Sequence, residues 1–167
     1  MTVERLKKLL NLVPLPVEGG LFSETYRSSE KVPQASLPSR YSGDRVFGTA
    51  IYYLLTPDTF SALHRLKSDE IYHFYLGGPV TLLLLRPDGE SEIITLGQDI
   101  GAGQRVQAVV PRGSWQGSFL QPGGAFALLG TTMAPGFDPA DFEIGDRRRL
   151  ISSYPDQQPL IERLTPP

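Results

Sequence analysis

Cysteine is absent from the 167 residues, which excludes disulfides, thiolate zinc sites, iron–sulfur clusters and cysteine nucleophiles. Histidine occurs twice, as His64 and His73, so any imidazole-based metal site is short of ligands. Long apolar runs are missing too: stretches such as Val80–Leu85 are far too short to span a bilayer. No charge of one sign dominates, with 16 basic and 18 acidic residues giving a formal −2. That balance argues against nucleic acid as the main partner while leaving room for a locally charged pocket. Behind Met1-Thr2-Val3-Glu4-Arg5 there is no apolar segment of signal-peptide length, so a soluble cytoplasmic protein without membrane association is expected. The Gly97–Gly103 stretch lacks the Lys-Ser/Thr ending of a phosphate-binding loop, and no Gly-x-Ser-x-Gly elbow exists for a serine hydrolase. Arg147-Arg148-Arg149 is too short for a nucleic-acid arm and reads as a solvated helix face.

What is present reads as one domain, residues 1–167, with 40% hydrophobic and 20% charged residues. Val3, Leu6, Leu9, Leu10 and Val13 fall at helical spacing between Thr2 as N-cap and Pro14 as stop, so residues 1–14 form an opening helix. An arm follows over 15–45: a turn at Val17–Gly20, a strand over Leu21–Ser28 with period-two alternation, then a loop rich in Ser, Pro and Gly from Ser29 to Asp44. Residues 46–135 change character. Short β-rich runs cover Val46–Leu55, Phe60–Leu63, Glu70–Leu76, Pro79–Arg86, Ser91–Leu96, Arg105–Val110, Ser114–Leu120 and Ala125–Thr132, separated by Gly/Pro turns. Many short strands without intervening helices indicate an antiparallel sandwich or barrel, hence an all-β fold. The tail, 136–167, returns to helix, with Asp138 capping Pro139–Phe142 and further helix around Arg147–Ser153 and Gln158–Leu164.

Two stretches carry the chemistry. One runs from Ser61 through His64, Leu66, Glu70 and His73 to Gly77; the other runs from Gly103 through Pro111, Gly113 and Trp115 to Gln116. Together they resemble the two motifs of the cupins, jelly-roll β-barrels that often hold a metal among three histidines and a glutamate. The first motif has its His, second His, Glu and Gly where this chain has His64, Leu66, Glu70 and Gly77. The second has Pro-x-Gly and a later His where this chain has Pro111, Gly113 and Gln116. With Glu18-Gly19-Gly20, Glu24–Ser28 and Ala134–Asp138 added, the likeness extends from about Leu9 to Leu150 and is to a small cupin subfamily of undefined biochemical role. The resemblance implies a cupin-type double-stranded jelly-roll barrel with short N-terminal and C-terminal helices, and a homodimer in which a second subunit covers a sheet edge.

A loop between His64 and Glu70 brings both side chains to one barrel mouth, and the Pro111–Gly113 turn aims Gln116 toward them. If a divalent ion such as Zn, Fe, Mn or Ni binds, His64, Glu70 and Gln116 are its ligands. Leu66 cannot ligate and an amide oxygen is a weak donor beside imidazole, so the metal is held weakly or not at all. Alternation along the strand sets His73 on the face opposite Glu70 and Tyr72. Without metal, His64 is the general base or acid, Glu70 its orienting carboxylate, and a tyrosine such as Tyr53, Tyr72 or Tyr26 its acid partner. That arrangement is similar in kind to cupin-like epimerases of nucleotide-linked deoxysugars. Tyr53, Tyr72, Phe74 and Trp115 are expected as pocket walls, with Gln116 and Arg27 on the ligand, although aromatics at alternate strand positions are more often core. Glu18, Glu24 and Arg27 are expected to form a structural ion pair bridging the first strand to the barrel. Three functions stay open: binding of a polar, carbohydrate-like small molecule with isomerase or epimerase chemistry at His64, a metal-dependent oxygenase or related enzyme, and a binding module without turnover.

Overall fold

The computed structural model describes residues 1–166. In chain order the strands are β1 (Val13–Pro14), β2 (Leu21–Arg27), β3 (Lys31–Val32), β4 (Arg45–Val46), β5 (Thr49–Leu55), β6 (Phe60–Leu66), β7 (Glu70–Gly77), β8 (Val80–Leu85), β9 (Ser91–Leu96), β10 (Gln107–Val110), β11 (Trp115–Leu120), β12 (Ala127–Met133) and β13 (Phe142–Ile144). Helix α1 (Val3–Leu10) precedes them; α2 (Arg147–Ser153) and α3 (Gln158–Arg163) follow. Among the described residues no helix is long and apolar enough to cross a membrane.

The strands form two facing antiparallel sheets, one ordered β1-β2-β5-β12-β7-β10 and the other β13-β6-β11-β8-β9, with β3 and β4 paired separately. This is the expected all-β jelly roll, built as two open sheets rather than a closed barrel. Strand β8 shows why the layers stack as they do. All six of its residues are buried, a pattern that needs cover on both faces. Val80, Leu82 and Leu84 enter the core between the sheets with Tyr53, Leu55, Tyr72, Phe74 and Leu129. Leu83 and Leu85 face outward and are covered by Leu150, Ile161 and Leu164 of the C-terminal helical tail. On the outer side of the six-stranded sheet, Leu6 and Leu12 cover Leu54 and Leu128.

Several boundaries differ from the sequence expectation for local reasons. Helix α1 ends at Leu10 rather than near Pro14, because Asn11 takes a left-handed conformation and donates its backbone N–H to Lys7. Val13 and Pro14 then pair with Phe22 and Leu21. Asp138 does cap a short turn, but that turn closes at Asp141, and Phe142–Ile144 pairs with β6 instead of continuing as helix. Strand β6 itself continues past Leu63 to Leu66.

A β-bulge sits in β6. Gln116 lies opposite His64 and Ser118 opposite Ser61, so Ala62 and Leu63 together face the single residue Gly117. An extra residue reverses the alternation beyond it. Ser61 and His64 therefore both point inward, although three positions apart, while Leu63 turns out to the helical cover. The bulge frees four backbone groups, and each has a partner at 2.7 Å. Ala62 N–H donates to the Glu18 carbonyl, Leu63 N–H donates to Leu164, and the Leu63 carbonyl accepts from Gly145. The Ala62 carbonyl is taken by His64 Nδ1. Residues from both ends of the chain thus complete the hydrogen bonding of this irregular ladder.

Gly117 makes that crowding feasible: a Cβ there meets the Ser61 carbonyl oxygen and Leu63 Cγ at 3.1 Å. Both neighbours are fully buried. Gly117→Ala is therefore expected to destabilise the protein by about 1–3 kcal/mol, the usual effect of overpacking, read as a lower urea midpoint with an unchanged slope. Wild-type stability in this variant contradicts the packing described.

Candidate functional site

The bulge aims His64 into a cavity of about 80 Å3 between the sheets, lined by Glu18, Glu24, Thr49, Glu70 and Thr131 with an apolar surround that includes Leu15, Phe22, Ile51, Leu66, Met133 and Phe137. His64 is 1% exposed. Its Nδ1 lies 2.7 Å from the Ala62 carbonyl, an acceptor that carries no proton, so Nδ1 must donate. The neutral ring is then the Nδ1–H tautomer with its lone pair on Nε2. Phe142 stacks on the imidazole with centroids 5.1 Å apart and restrains its tilt. On the far side, Nε2 lies 3.9 Å from Glu18 Oε2, near enough to stabilise an imidazolium.

Glu18 reaches this position from an unusual turn. Val17, Gly19 and Gly20 all have positive φ, at 69°, 96° and 69°. For a β-branched residue such as Val17 this conformation is unfavourable by about 1–3 kcal/mol. Gly19 and Gly20 lie where no side chain fits: a Cβ at Gly19 falls 2.4 Å from the Phe60 carbonyl, and one at Gly20 falls 2.6 Å from the Tyr53 hydroxyl. The turn is thereby clamped against β6, and Ser61 Oγ fixes the carboxylate by donating to Oε1 at 2.9 Å.

Glu70 enters from the opposite sheet, at the start of β7, and is buried. Gln116 Nε2 donates to its Oε2 at 2.7 Å. Burial pushes the Glu70 carboxyl above the usual value near 4.5; the His64 charge pulls it back, and the Glu18 charge pushes it further up. Burial also pushes the Tyr53 and Tyr72 phenols well above their ordinary value, helped by the neighbouring Glu18 and Glu70 charges.

His64 and Glu70 line the same cavity, and Gln116 stands behind Glu70 rather than on the cavity wall. Tyr53, Tyr72 and Phe74 belong to the packed core between the sheets, and the Tyr53 hydroxyl donates to the Gly19 carbonyl at 3.0 Å. Trp115, expected as a pocket wall, packs instead with the outer cluster under the C-terminal helices, its ring covered by Arg65 at 4.6 Å. Arg27 grips Glu24 through contacts of 2.7–3.2 Å and donates to the Phe137 carbonyl, neutralising one of the cavity's carboxylates. Glu18 takes no part in that ion pair, contrary to expectation. His73 points to the outer face, beside Thr132 at 3.0 Å. Sequence reasoning missed Glu18 and Ser61 as site residues. The signal for Glu18 was its place before Gly19-Gly20, a turn that only a demanding local geometry requires; Ser61 left no signal.

The donor set does not fit a resident metal ion. Among the described residues no three His, Asp or Glu side chains converge on a point. Leu66 lines the cavity where a second imidazole is needed. The Gln116 amide presents an N–H to Glu70, and its buried Oε1 has no partner. The expected set of His64, Glu70 and Gln116 is therefore not assembled as a ligand triad.

Comparison with known proteins agrees with this architecture. The family model described as Cupin superfamily (DUF985) matches residues 4–145. Uncharacterized protein YML079W of Saccharomyces cerevisiae is 35% identical over 129 residues, which is 72% of this chain and 64% of that protein. The chain thus spans somewhat under two thirds of that curated relative. Among solved structures, a hypothetical protein from Leishmania major superposes with a TM-score of 0.87 at 32% identity, covering 99% of both chains. Protein SO0799 from Shewanella oneidensis gives 0.86 at 34% identity, covering 100% of this chain and 99% of the other. Oxalate decarboxylase from Bacillus subtilis shares the fold at a TM-score of 0.54 and 15% identity, over 92% of this chain and 37% of the enzyme. From the matched family model, the two motifs and the facing sheets, the chain belongs to the cupin superfamily, in its DUF985 family.

Proposed function

We propose that the protein binds a neutral, hydroxyl- or carbonyl-bearing small molecule of carbohydrate type and moves a proton on it in isomerase- or epimerase-type chemistry at His64. The observation that carries this reading is the commitment of Nδ1 to the Ala62 carbonyl, which leaves Nε2 as the imidazole atom free to act as a base. Of the three carboxyl groups on the cavity wall, Glu24 is paired with Arg27 and the burial of Glu70 favours its protonated form, so it is the Glu18 carboxylate that disfavours an anionic occupant. At about 80 Å3 the cavity admits only the reacting end of a ligand, roughly the volume of two or three waters. The remainder has room in a groove of about 300 Å3 that shares Leu15, Glu18 and Phe137 with the cavity and is otherwise formed by Pro16, Val17, Pro139 and Phe142.

In this reading Nε2 removes a proton from the carbon beside the ligand's carbonyl, and the electron pair moves onto the carbonyl oxygen. Glu70, kept protonated more readily by its burial, gives that oxygen a proton. The imidazolium then delivers its proton to the neighbouring carbon, the former carbonyl carbon, while the Glu70 carboxylate takes the proton of the hydroxyl on the first carbon, so that the carbonyl moves one position along the ligand with no net change in oxidation state. Glu18 stabilises the imidazolium between them. Tyr53, whose hydroxyl is spent on Gly19, is replaced by Glu70 as proton donor.

Exchange of carbon-bound hydrogen with deuterated solvent, followed by NMR across a panel of small hydroxyketones and keto-sugars, tests the proposal. His64→Ala is expected to slow exchange by about 10²-fold or more, the scale of general-base catalysis. Glu18→Gln is expected to slow it by about tenfold, since the imidazolium formed during the transfer loses the carboxylate that lies 3.9 Å from Nε2. A ligand that raises the melting temperature yet never exchanges reduces the protein to a binding module.

Stability provides a second check. Because the folded pKa of Glu70 is raised, the native state holds that proton more tightly than the unfolded chain. This group's contribution therefore lowers stability as pH rises from about 4.5 through the folded value. Glu70→Gln is expected to flatten that decline in denaturation curves and to be at least as stable as wild type at pH 7. An unchanged pH slope contradicts the assignment.

A further inference from the structure

A second recess, of about 540 Å3, lies on the other side of Leu66, which lines both it and the His64 cavity. Its walls carry Arg40, Arg65, Lys67 and Arg112 against two carboxylates, Asp141 and Glu143. The four cations come from separate places in the chain: the loop before β4, strand β6, the β6–β7 turn and the β10–β11 turn. In a chain with a formal charge of −2, this gathering is a product of the fold and not of composition.

Both carboxylates are already engaged. Asp141 is 3% exposed and takes the fork of Arg45 at 2.7 and 2.6 Å, a cation that is not on the wall; Lys67 approaches the same carboxylate at 3.5 Å. Glu143 is held by Arg65 through contacts of 2.8 and 3.0 Å. Arg40 is fixed in place by donating to the Lys67 carbonyl at 2.9 Å and to the Tyr41 hydroxyl, and it lies 4.7 Å over the Tyr41 ring. None of these partners neutralises it. The Arg112 backbone N–H donates to Asp69 at 2.8 Å, which orders the turn, while its guanidinium has no hydrogen-bond or carboxylate partner among the described residues. Two guanidinium groups and a half-satisfied ammonium thus face one recess, the guanidinium groups without a carboxylate partner. Their mutual repulsion is relieved by a ligand carrying several anionic oxygens, which guanidinium forks match in shape as well as charge.

We propose that this recess is a binding site for a small phosphate-bearing molecule, of the phosphate monoester or diphosphate class, held by Arg40, Lys67 and Arg112. The site is separate from the His64 cavity and does not depend on the chemistry proposed there.

Isothermal titration of the full chain with pyrophosphate, at ionic strength matched with sodium chloride, tests the assignment. Saturable binding of one pyrophosphate per chain is expected, weakening as salt is raised. The Arg40→Ala/Arg112→Ala double variant is expected to bind at least about tenfold more weakly, as loss of charge-assisted contacts requires. Arg112→Gln, which removes a single exposed charge, is expected to move in the same direction, and His64→Ala to retain the wild-type affinity. Any of four results overturns the proposal: no saturable heat beyond the chloride control, wild-type affinity in both arginine variants, citrate binding as tightly as pyrophosphate, or loss of binding in His64→Ala.

Discussion

The hydrogen bond from His64 Nδ1 to the Ala62 carbonyl is available only because β6 bulges at Ala62–Leu63. In a regular ladder that carbonyl is directed at the neighbouring strand, and alternation from Ser61 turns the imidazole to the outer face. Insertion of one residue both reverses the side chain and releases an acceptor to hold it. The other freed groups of the bulge are met by Glu18, Gly145 and Leu164. The turn that delivers Glu18 to the cavity is therefore tied by its own backbone to the strand that delivers His64. Base and counter-charge are positioned by one structural device, with the strained Val17–Gly20 turn as its outer clamp.

This coupling gives two similar residues different roles. Glu18 and Glu70 both lie on the cavity, but Glu18 sits beside the imidazole with a hydroxyl donor. Glu70 is buried against an amide, and burial favours its protonated form. The same arrangement explains why the motif positions of a metal-binding cupin do not operate as such here. Leu66 fills one with hydrocarbon, and the Gln116 amide turns an N–H donor toward Glu70 in another.

Much of the fold was legible because its signals are local. Gly/Pro turns punctuate the strands, and Val80–Leu85 advertises a strand covered on both faces. Strands β1, β3, β4 and β13 were not legible, since two or three residues carry no periodicity and owe their geometry to partners elsewhere. The spacing of His64, Glu70 and Gln116 was readable through the cupin motifs, yet the direction of each side chain was not. Ser61-Ala62-Leu63-His64 contains no glycine or proline to mark a bulge; its glycine lies on the opposite strand at Gly117. Glu18 was assigned to an ion pair with Glu24 and Arg27 instead of the cavity for a related reason: its partner Ser61 is 43 residues away, whereas Glu24 and Arg27 are near in sequence and pair with each other. Aromatic residues misled about place, with Trp115 serving the helical cover and standing off the wall of the His64 cavity.

The central claim is that His64 is locked as the Nδ1–H tautomer with Nε2 open to the cavity. Nitrogen-15 NMR of the histidine side chains measures this directly, and with two histidines in the chain a His73→Asn variant leaves one imidazole to assign. At a pH where that ring is neutral, the account predicts a protonated Nδ1 and an unprotonated Nε2. A proton found on Nε2, or rapid averaging between the two nitrogens, contradicts it.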